Sequence, residues 1–291
     1  MSDLRATRER PSVIAIVVTY RRVDLLLRTL SSVVHQSVPI SRVVVVDNAA
    51  DRDLETRLAS DLPEIVYIAS PENLGPGGGF GVGLRRAEEE PSAADWYWLL
   101  DDDSPPASNA LELGLEVAST ERSFGPIGAI GLRGGHVRHG LIRHDLPAGS
   151  VASPTTADFL LVDGSILSAA AVRKAGYPRS DFFIMMEDLE YSHRIGEAGF
   201  ALIVRPDDGS TNLYQGSGAP WRGYYQCRNH LRLAIERRSP SWVFGWLTRE
   251  LAINFNHLRK RRWKSIRFRI RGGVDAIRNR MGRRVEPTAS S

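Results

Sequence analysis

One cysteine, Cys227, is present in 291 residues. A lone thiol excludes an internal disulfide and a cysteine-built zinc site, and a bland, buried thiol is expected. Uninterrupted apolar runs are also missing: none approaches the roughly 18–20 residues that span a bilayer. The opening residues, MSDLRATRERPS, are polar and charged rather than an apolar secretory signal. A cytoplasmic protein is therefore expected. No internal repeat or long low-complexity stretch occurs. Two common phosphate-binding motifs are absent as well. Residues 72–90 read ENLGPGGGFGVGLRRAEEE and hold Gly75, Gly77, Gly78, Gly79, Gly81 and Gly83. G-x-G-x-x-G fails because Phe80 or Val82 stands where its third glycine belongs. The P-loop fails because no lysine closes the run. So many glycines still require an explanation, since each loses more backbone entropy on folding than any other residue.

What is present is an ordinary globular composition, 42% hydrophobic and 25% charged. The formal charge of +4 conceals an asymmetry. Residues 237–284 carry fifteen Lys or Arg against Glu250 and Asp275, a net +13 that leaves −9 for the rest. An acidic body with a basic tail suggests two tasks. The runs 12–19, 42–46, 64–69 and 95–100 read as buried strands, and 23–34, 51–60 and the segment reaching Glu90 as helices. Ser104 before Pro105-Pro106 reads as a further helix start. Strands alternating with helices predict an α/β fold, a mostly parallel Rossmann-like sheet covered on both faces. Ligands of such sheets bind outside the carboxyl ends of the strands, where Asp47, Asn73 and Asp101-Asp102-Asp103 fall. Further on, 151–168 reads as one or two strands around Asp163-Gly164, 188–198 as a helix and 201–204 as a short strand. Beyond Pro240 the chain reads as helical, aromatic and then basic.

Three consecutive aspartates at a strand end repel one another unless a cation meets them. Magnesium or manganese, held by one or two carboxylates plus phosphate oxygens, resolves this. The plainer alternative is a solvated turn capping a helix. Glu187, Asp188 and Glu190 follow the apolar run FFIMM, so a carboxylate there can emerge partly desolvated and act as a general base. An acidic first helical turn favoured by the dipole is the alternative reading.

VVTYRR, VVVVDN, ENLGPGGGFG, WLLDDD and EDLE, in this order, resemble the inverting GT-A glycosyltransferases of family 2. The resemblance runs from about Val13 to Asn229. The glycine segment and DWYWLLDDD look most like bacterial galactofuranosyltransferases, with rhamnosyltransferases as near relatives. It implies a catalytic domain at 12–236, nucleotide-binding over 12–125 and acceptor-binding over 126–236. A flexible N-terminus, 1–11, precedes it and a basic amphipathic helical tail, 237–291, follows. Thr19, Tyr20 and Arg21 would line the nucleotide site and Asp47 would read the base. Asn73, Gly75, Gly78 and Gly79 would lie along donor sugar and diphosphate, the glycines making room for them. Helix-on-sheet packing is the other use of the glycines. Asp101 and Asp102 would face the donor, and Asp101 and Asp103 would hold Mn2+ or Mg2+. Asp188 would deprotonate the acceptor hydroxyl, while Glu187 and Glu190 orient acceptor or sugar.

Many relatives add a metal-binding histidine after the acidic helix. Here VRPDDGSTNLYQGSG has none, which leaves Asn212, Tyr214 or water near its place. His193 reads as a packing or acceptor-side residue. UDP-galactofuranose is the first donor implied and dTDP-rhamnose the second, with a glycan or lipid-linked saccharide as acceptor. In the tail, Trp242, Phe244, Trp246, Leu247, Phe255, Trp263, Ile266, Phe268 and Ile270 interleave with cations. That combination suits peripheral attachment to the anionic inner face of a membrane. Packing on the catalytic body is the alternative. A nucleotidyltransferase would want a glycine loop with a basic residue after the first strand, where Tyr20-Arg21-Arg22 has no glycine. A non-catalytic nucleic-acid-binding protein fits the tail but not the acidic body, so no nucleic-acid partner is expected.

Overall fold

The computed structural model describes residues 11–90, 94–207, 209–210 and 219–287. Its first part alternates strictly: β1 (Val13–Thr19), α1 (Val23–Val34), β2 (Arg42–Asp47), α2 (Arg52–Asp61), β3 (Val66–Ala69), α3 (Gly75–Glu88) and β4 (Trp96–Asp101). Every residue of β1 is buried, and its two faces serve two cores. Val13, Ala15 and Val17 pack against Leu26 and Leu30 of α1 and Leu54 of α2. Ile14, Ile16 and Val18 pack against Phe80 and Leu84 of α3. A strand buried on both sides needs apolar residues at every position, which is why VIAIVVT does not alternate.

The second part is α4 (Ala110–Thr120), β5 (Ile127–Gly131), β6 (Gly134–Arg138), β7 (Leu141–Leu146), β8 (Thr155–Thr156), β9 (Phe159–Leu160), β10 (Ser165–Ser168), α5 (Ala169–Ala175), α6 (Glu187–Glu197) and β11 (Ala201–Val204). The eight-stranded sheet has the order β3-β2-β1-β4-β10-β5-β11-β8. The first four strands pair in parallel, and β10 is antiparallel to both of its neighbours. The sheet thus crosses residue 125 without interruption. A second sheet, β7-β6-β9, stands beside it. The expected helix start at Pro105 is corrected: α4 begins at Ala110. Ser104 and Pro105 each precede a proline, which pushes them out of the helical region.

α3 is a helix although six of its fourteen residues are glycine, roughly 5 kcal/mol less favourable than alanine at those positions. Packing offsets this. A Cβ on Gly83 would strike the Ile16 side chain, and one on Gly79 would lie 2.7 Å from Val18 Cγ1. On Gly77 it would lie 2.8 Å from the Arg179 carbonyl oxygen, and on Gly78 it would lie 2.7 Å from Leu74 Cβ. Gly75 opens the helix with φ +71° against the Phe183 carbonyl. The close approach that Gly78 and Gly79 permit is to protein, the helix-packing use of these glycines.

Three helices close the chain: α7 (Pro220–Glu236), α8 (Pro240–Arg259) and α9 (Trp263–Ile277). Within the tail, buried Arg269 of α9 forks onto Glu250 of α8 at 2.7 and 2.6 Å, and Tyr224 of α7 ties the tail to the body by donating to Asp275 at 2.8 Å. Trp242 is buried, and Trp246, Ile266 and Phe268 are half-buried. Phe244, Leu247, Leu251, Phe255 and Leu258 instead form an outward stripe on α8, continued by Trp263 and Ile270 on α9. Among the described residues no helix is long and apolar enough to cross a membrane.

Candidate active site

The register of the central strands builds the site. Val18 pairs with Asp101 and Thr19 with Asp47, so the carboxyl ends of β1, β2 and β4 finish together. An open cleft of about 370 Å³ lies there, lined by Thr19, Tyr20, Asn73 and Asp101–Asp103 from the strand ends and by Phe183, Trp221 and Arg222 from the 183–186 loop and α7. Asp102 ties β4 to β1. It accepts from Thr19 Oγ1 at 2.7 Å, from the Tyr20 amide at 3.3 Å and from Arg22 Nη1 at 3.1 Å. Arg22 also reaches Asp103 Oδ2 at 2.7 Å. Asn48 donates to the Gly75 carbonyl and accepts from the Leu74 amide, while Asn73 accepts from the Gly75 amide. The two asparagines thus fix the opening of α3 at the cleft floor.

The 183–186 loop is strained. Phe183, Met185 and Met186 have φ of 64°, 68° and 72°, values that bulky side chains rarely adopt. They persist because α7 holds the loop from beneath. Buried Asn229 donates to the carbonyls of Phe182, Ile184 and Met185 at 2.9, 3.0 and 2.7 Å. Arg228 donates to those of Asp181, Phe182 and Gly282. Residues after α9 return as a strap: the Gly282 amide donates to the Asp181 carbonyl, Tyr225 Oη accepts from the amides of Arg284 and Val285, and Pro287 reaches the cleft rim. The loop releases the chain into α6 at Glu187 and Asp188. Burial raises both carboxyl pKa values. The charge of Asp188 raises that of Glu187 further, and Arg222 opposes the rise. Glu187 Oε2 is buried without a hydrogen-bond partner, and Asp188 Oδ1 accepts from the Leu189 amide at 2.8 Å.

Several expected site residues are placed together and others are not. Thr19, Tyr20, Asn73, Gly75, Asp101, Asp102 and Asp103 line one cleft. Arg21 is exposed, lying over the Tyr20 ring. Asp47 is buried and its oxygens accept from the Ala49 and Asp51 amides and the Tyr67 hydroxyl, which closes the turn after β2. Glu190 is buried under Arg194, paired at 2.7 and 3.0 Å, and Arg194 in turn holds the carbonyls of Ala175 and Tyr177. That pairing engages both carboxylate oxygens of Glu190. His193 faces Trp242, centroids 6.1 Å apart, as a packing residue. Asn212 and Tyr214 lie outside the described residues. Asn48, Asp163 and Arg222 were not singled out as site residues. Only Asp163, after a short apolar run and before Gly164, gave a sequence signal.

The carboxylates have the chemistry of a hard-cation site. Asp101 is crowded by Asp163, Asp103, Asp102 and Glu187, and burial with these charges raises its pKa. Its amide donates to Asp163 Oδ1, but no donor reaches its own carboxylate among the described residues. Asp163 is answered by Ser104 at 2.6 Å and Arg133 at 3.1 Å. Among the described residues no three His, Cys, Asp or Glu form a metal-holding group. Two carboxylates, Asp101 and Asp103, match the one or two that magnesium or manganese takes when phosphate oxygens complete the shell.

The sequence profile of Glycosyl transferase family 2 matches residues 14–173. Galactofuranosyltransferase GlfT1 of Mycolicibacterium smegmatis is 28% identical over 201 residues, covering 64% of this chain and 66% of that protein. GlfT1 of Mycobacterium tuberculosis is 30% identical over 204 residues, covering 65% and 66%. The chain thus spans 66% of the length of these curated relatives. Among solved structures, the mannosyltransferase PcManGT of Pyrobaculum calidifontis, in complex with GDP-Man and Mn2+, superposes with TM-score 0.58 at 16% identity, over 94% of this chain and 88% of that one. GalNAc-T7 with UDP, GalNAc and Mn2+ gives 0.62 at 15% identity, over 78% and 48%. At these identities the structures speak for the fold, which is GT-A.

Proposed function

From the premise that the chain belongs to glycosyl transferase family 2, we propose that it moves a sugar from a nucleotide-sugar donor to an acceptor hydroxyl with inversion. UDP-galactofuranose is the favoured donor, in keeping with the curated relatives, and dTDP-rhamnose the alternative. A glycan or lipid-linked saccharide is the acceptor. One observation carries the reading: an uncompensated strand-end carboxylate, Asp101, shares a cleft with Phe183 and Ile184 of the loop that leads into Glu187 and Asp188, and Glu187 is close enough to raise its pKa. Asp101 and Asp103 would hold Mn2+ or Mg2+, which when bound neutralises charge on a diphosphate. Thr19, Tyr20, Asn73 and Gly75 line the space for the donor. Asp188 accepts the acceptor's proton as the acceptor oxygen bonds to the anomeric carbon. The bond from that carbon to the diphosphate oxygen breaks on the opposite face. One carboxylate suffices as base, unlike the pair a hydrolase needs.

The outward stripe Phe244, Leu247, Leu251, Phe255 and Leu258 ends at a basic elbow, Arg259, Lys260, Arg261, Arg262 and Lys264. This juxtaposition supports a second part of the proposal, attachment to an anionic membrane surface at the cytoplasmic face, where a lipid-linked acceptor resides. Apolar groups would enter the headgroup boundary and cations meet anionic lipid.

Thermal unfolding with a panel of nucleotide sugars and manganese tests the donor. A ligand at a hundred times its Kd raises stability by about 2.7 kcal/mol. UDP-galactofuranose should raise the midpoint most. A rise with dTDP-rhamnose alone selects the alternative, and no rise with any nucleotide sugar overturns the proposal.

A further inference from the structure

Among the described residues, two guanidinium groups line the cleft, those of Arg22 and Arg222. Arg22 is engaged with Asp102 and Asp103 at 3.1 and 2.7 Å. Arg222, near the start of α7, has no ion pair among the described residues, although its charge acts on the nearby Glu187 carboxyl. Its Nε is buried without a hydrogen-bond partner, and its guanidinium carbon lies 5.6 Å from the centroid of the Trp221 ring. The ring holds the guanidinium by its face, and a stacked guanidinium keeps its in-plane donors available. The cleft is otherwise acidic. Asp101, Asp102 and Asp103 form its wall, with Asp163 and Glu187 close enough to act on Asp101. Arg22 answers two of these carboxylates and Arg133 a third. A diphosphate entering this cleft adds negative charge that one divalent cation beside Asp101 only partly offsets. It therefore needs a cation not already committed to a carboxylate.

We propose that Arg222 clamps the diphosphate of the donor from the α7 side of the cleft. The proposal rests on the nucleotide-sugar reading above. A planar fork of N–H donors matches phosphate oxygens two at a time, which an ammonium does not. As the anomeric carbon leaves, the bonding electron pair stays on the distal phosphate oxygen and the diphosphate gains one negative charge. The acceptor's proton goes to Asp188, so Arg222 transfers no proton and acts only through charge and hydrogen bonds. Those bonds strengthen as charge develops, so they accelerate transfer as well as binding.

Calorimetric titration of wild type, Arg222→Gln and Arg222→Lys with UDP, UMP and uridine, each with manganese and with EDTA, tests the clamp. Hydrogen bonds to charged groups predict that Arg222→Gln weakens UDP about tenfold to a hundredfold. UMP should weaken much less and uridine not at all. Arg222→Lys should recover part of the loss, because charge remains and the fork does not. The dependence on Arg222 should be larger in EDTA, where no metal shares the load. Equal weakening of UDP and uridine overturns the proposal, since it marks a merely structural arginine packed on Trp221. Wild-type strength for UDP in Arg222→Gln overturns it as well while leaving the donor reading intact. If the wild type binds no nucleoside diphosphate, both are overturned.

Discussion

Asn229 is the most informative single residue to change, because one buried amide holds a strained wall of the cleft. Asn229→Asp keeps the shape and removes the donors; Asn229→Ala removes the group. The amide meets three carbonyls, at 2.9, 3.0 and 2.7 Å. Phe182 O keeps bonds from Arg228 and the Ile184 amide. The carbonyls of Ile184 and Met185 keep no other loop or side-chain donor among the described residues. Each orphaned carbonyl costs about 1–3 kcal/mol, so Asn229→Ala should cost about 2–6 kcal/mol in all. That is a large share of a typical folding free energy of about 5–15 kcal/mol. Asn229→Asp keeps the bond from Arg228 Nε at 2.8 Å but turns a carboxylate oxygen onto carbonyl oxygens, so it should also be destabilising by more than about 1 kcal/mol. Denaturant midpoints at constant slope measure the loss. Phe183, Met185 and Met186 should then relax from positive φ, so transfer should fall more than donor binding, whose other wall is built by β1 and β4. The reasoning is refuted if Asn229→Asp unfolds within about 1 kcal/mol of wild type, the ordinary range of a surface change, and keeps its turnover.

Asp188→Asn should lower turnover by about a hundredfold or more, the usual cost of losing a general base, while leaving donor affinity unchanged. Because burial raises the Asp188 pKa, the base form appears only as pH rises past the ordinary carboxylate range. The acid limb of kcat against pH should therefore lie above that range in wild type and vanish in Asp188→Asn; a limb at ordinary carboxylate pH would reassign the base. Asp101→Asn should abolish the manganese-dependent part of UDP affinity by calorimetry without lowering the denaturant midpoint, because no donor is lost from its carboxylate; retained manganese dependence argues against Asp101 as a ligand. Flotation with anionic vesicles at low salt should carry the wild type, neutral vesicles should not, and Leu251→Asp with Phe255→Asp should abolish flotation while sparing nucleotide binding. Flotation unchanged by that double substitution would place lipid contact elsewhere.

The sequence revealed most where residues are buried by default. β1, β2 and β4 are legible because strands covered on both faces are apolar throughout. α3 was legible as a helix only past its glycines, because intrinsic propensity speaks against Gly77–Gly83 and only the neighbouring Ile16, Val18 and Arg179 reverse it. α7 is hard to read for the opposite reason. Arg228, Asn229 and His230 are polar residue types yet fully buried, and the first two answer loop carbonyls far away in sequence. The acidic residues show the same limit. Asp47, Glu190 and Asp101 look equally available in a sequence, yet the first two are saturated by backbone amides or by Arg194, and Asp101 is not. Arg222 had no local signal, since its cleft position follows from where α7 begins in space.

The strap behind α9 gives the molecule an order in time. A growing chain folds from its amino end at roughly 5–20 residues per second. β1 through β4, with the aspartate wall, are therefore available while the last hundred or so residues are still being made. The carboxylate wall has to wait. Its loop is anchored by Arg228 and Asn229, and Arg228 itself is seated on the Gly282 carbonyl, while the Gly282 amide holds Asp181. On the proposed reading, the strand-end side of the cleft would form well before the loop leading into Asp188 is held in position. The proposed proton-accepting wall is complete only once the segment around Gly282 is in place. A polypeptide fused beyond Pro287 would sit at the mouth of the cleft, so reporter and affinity sequences belong at the amino terminus.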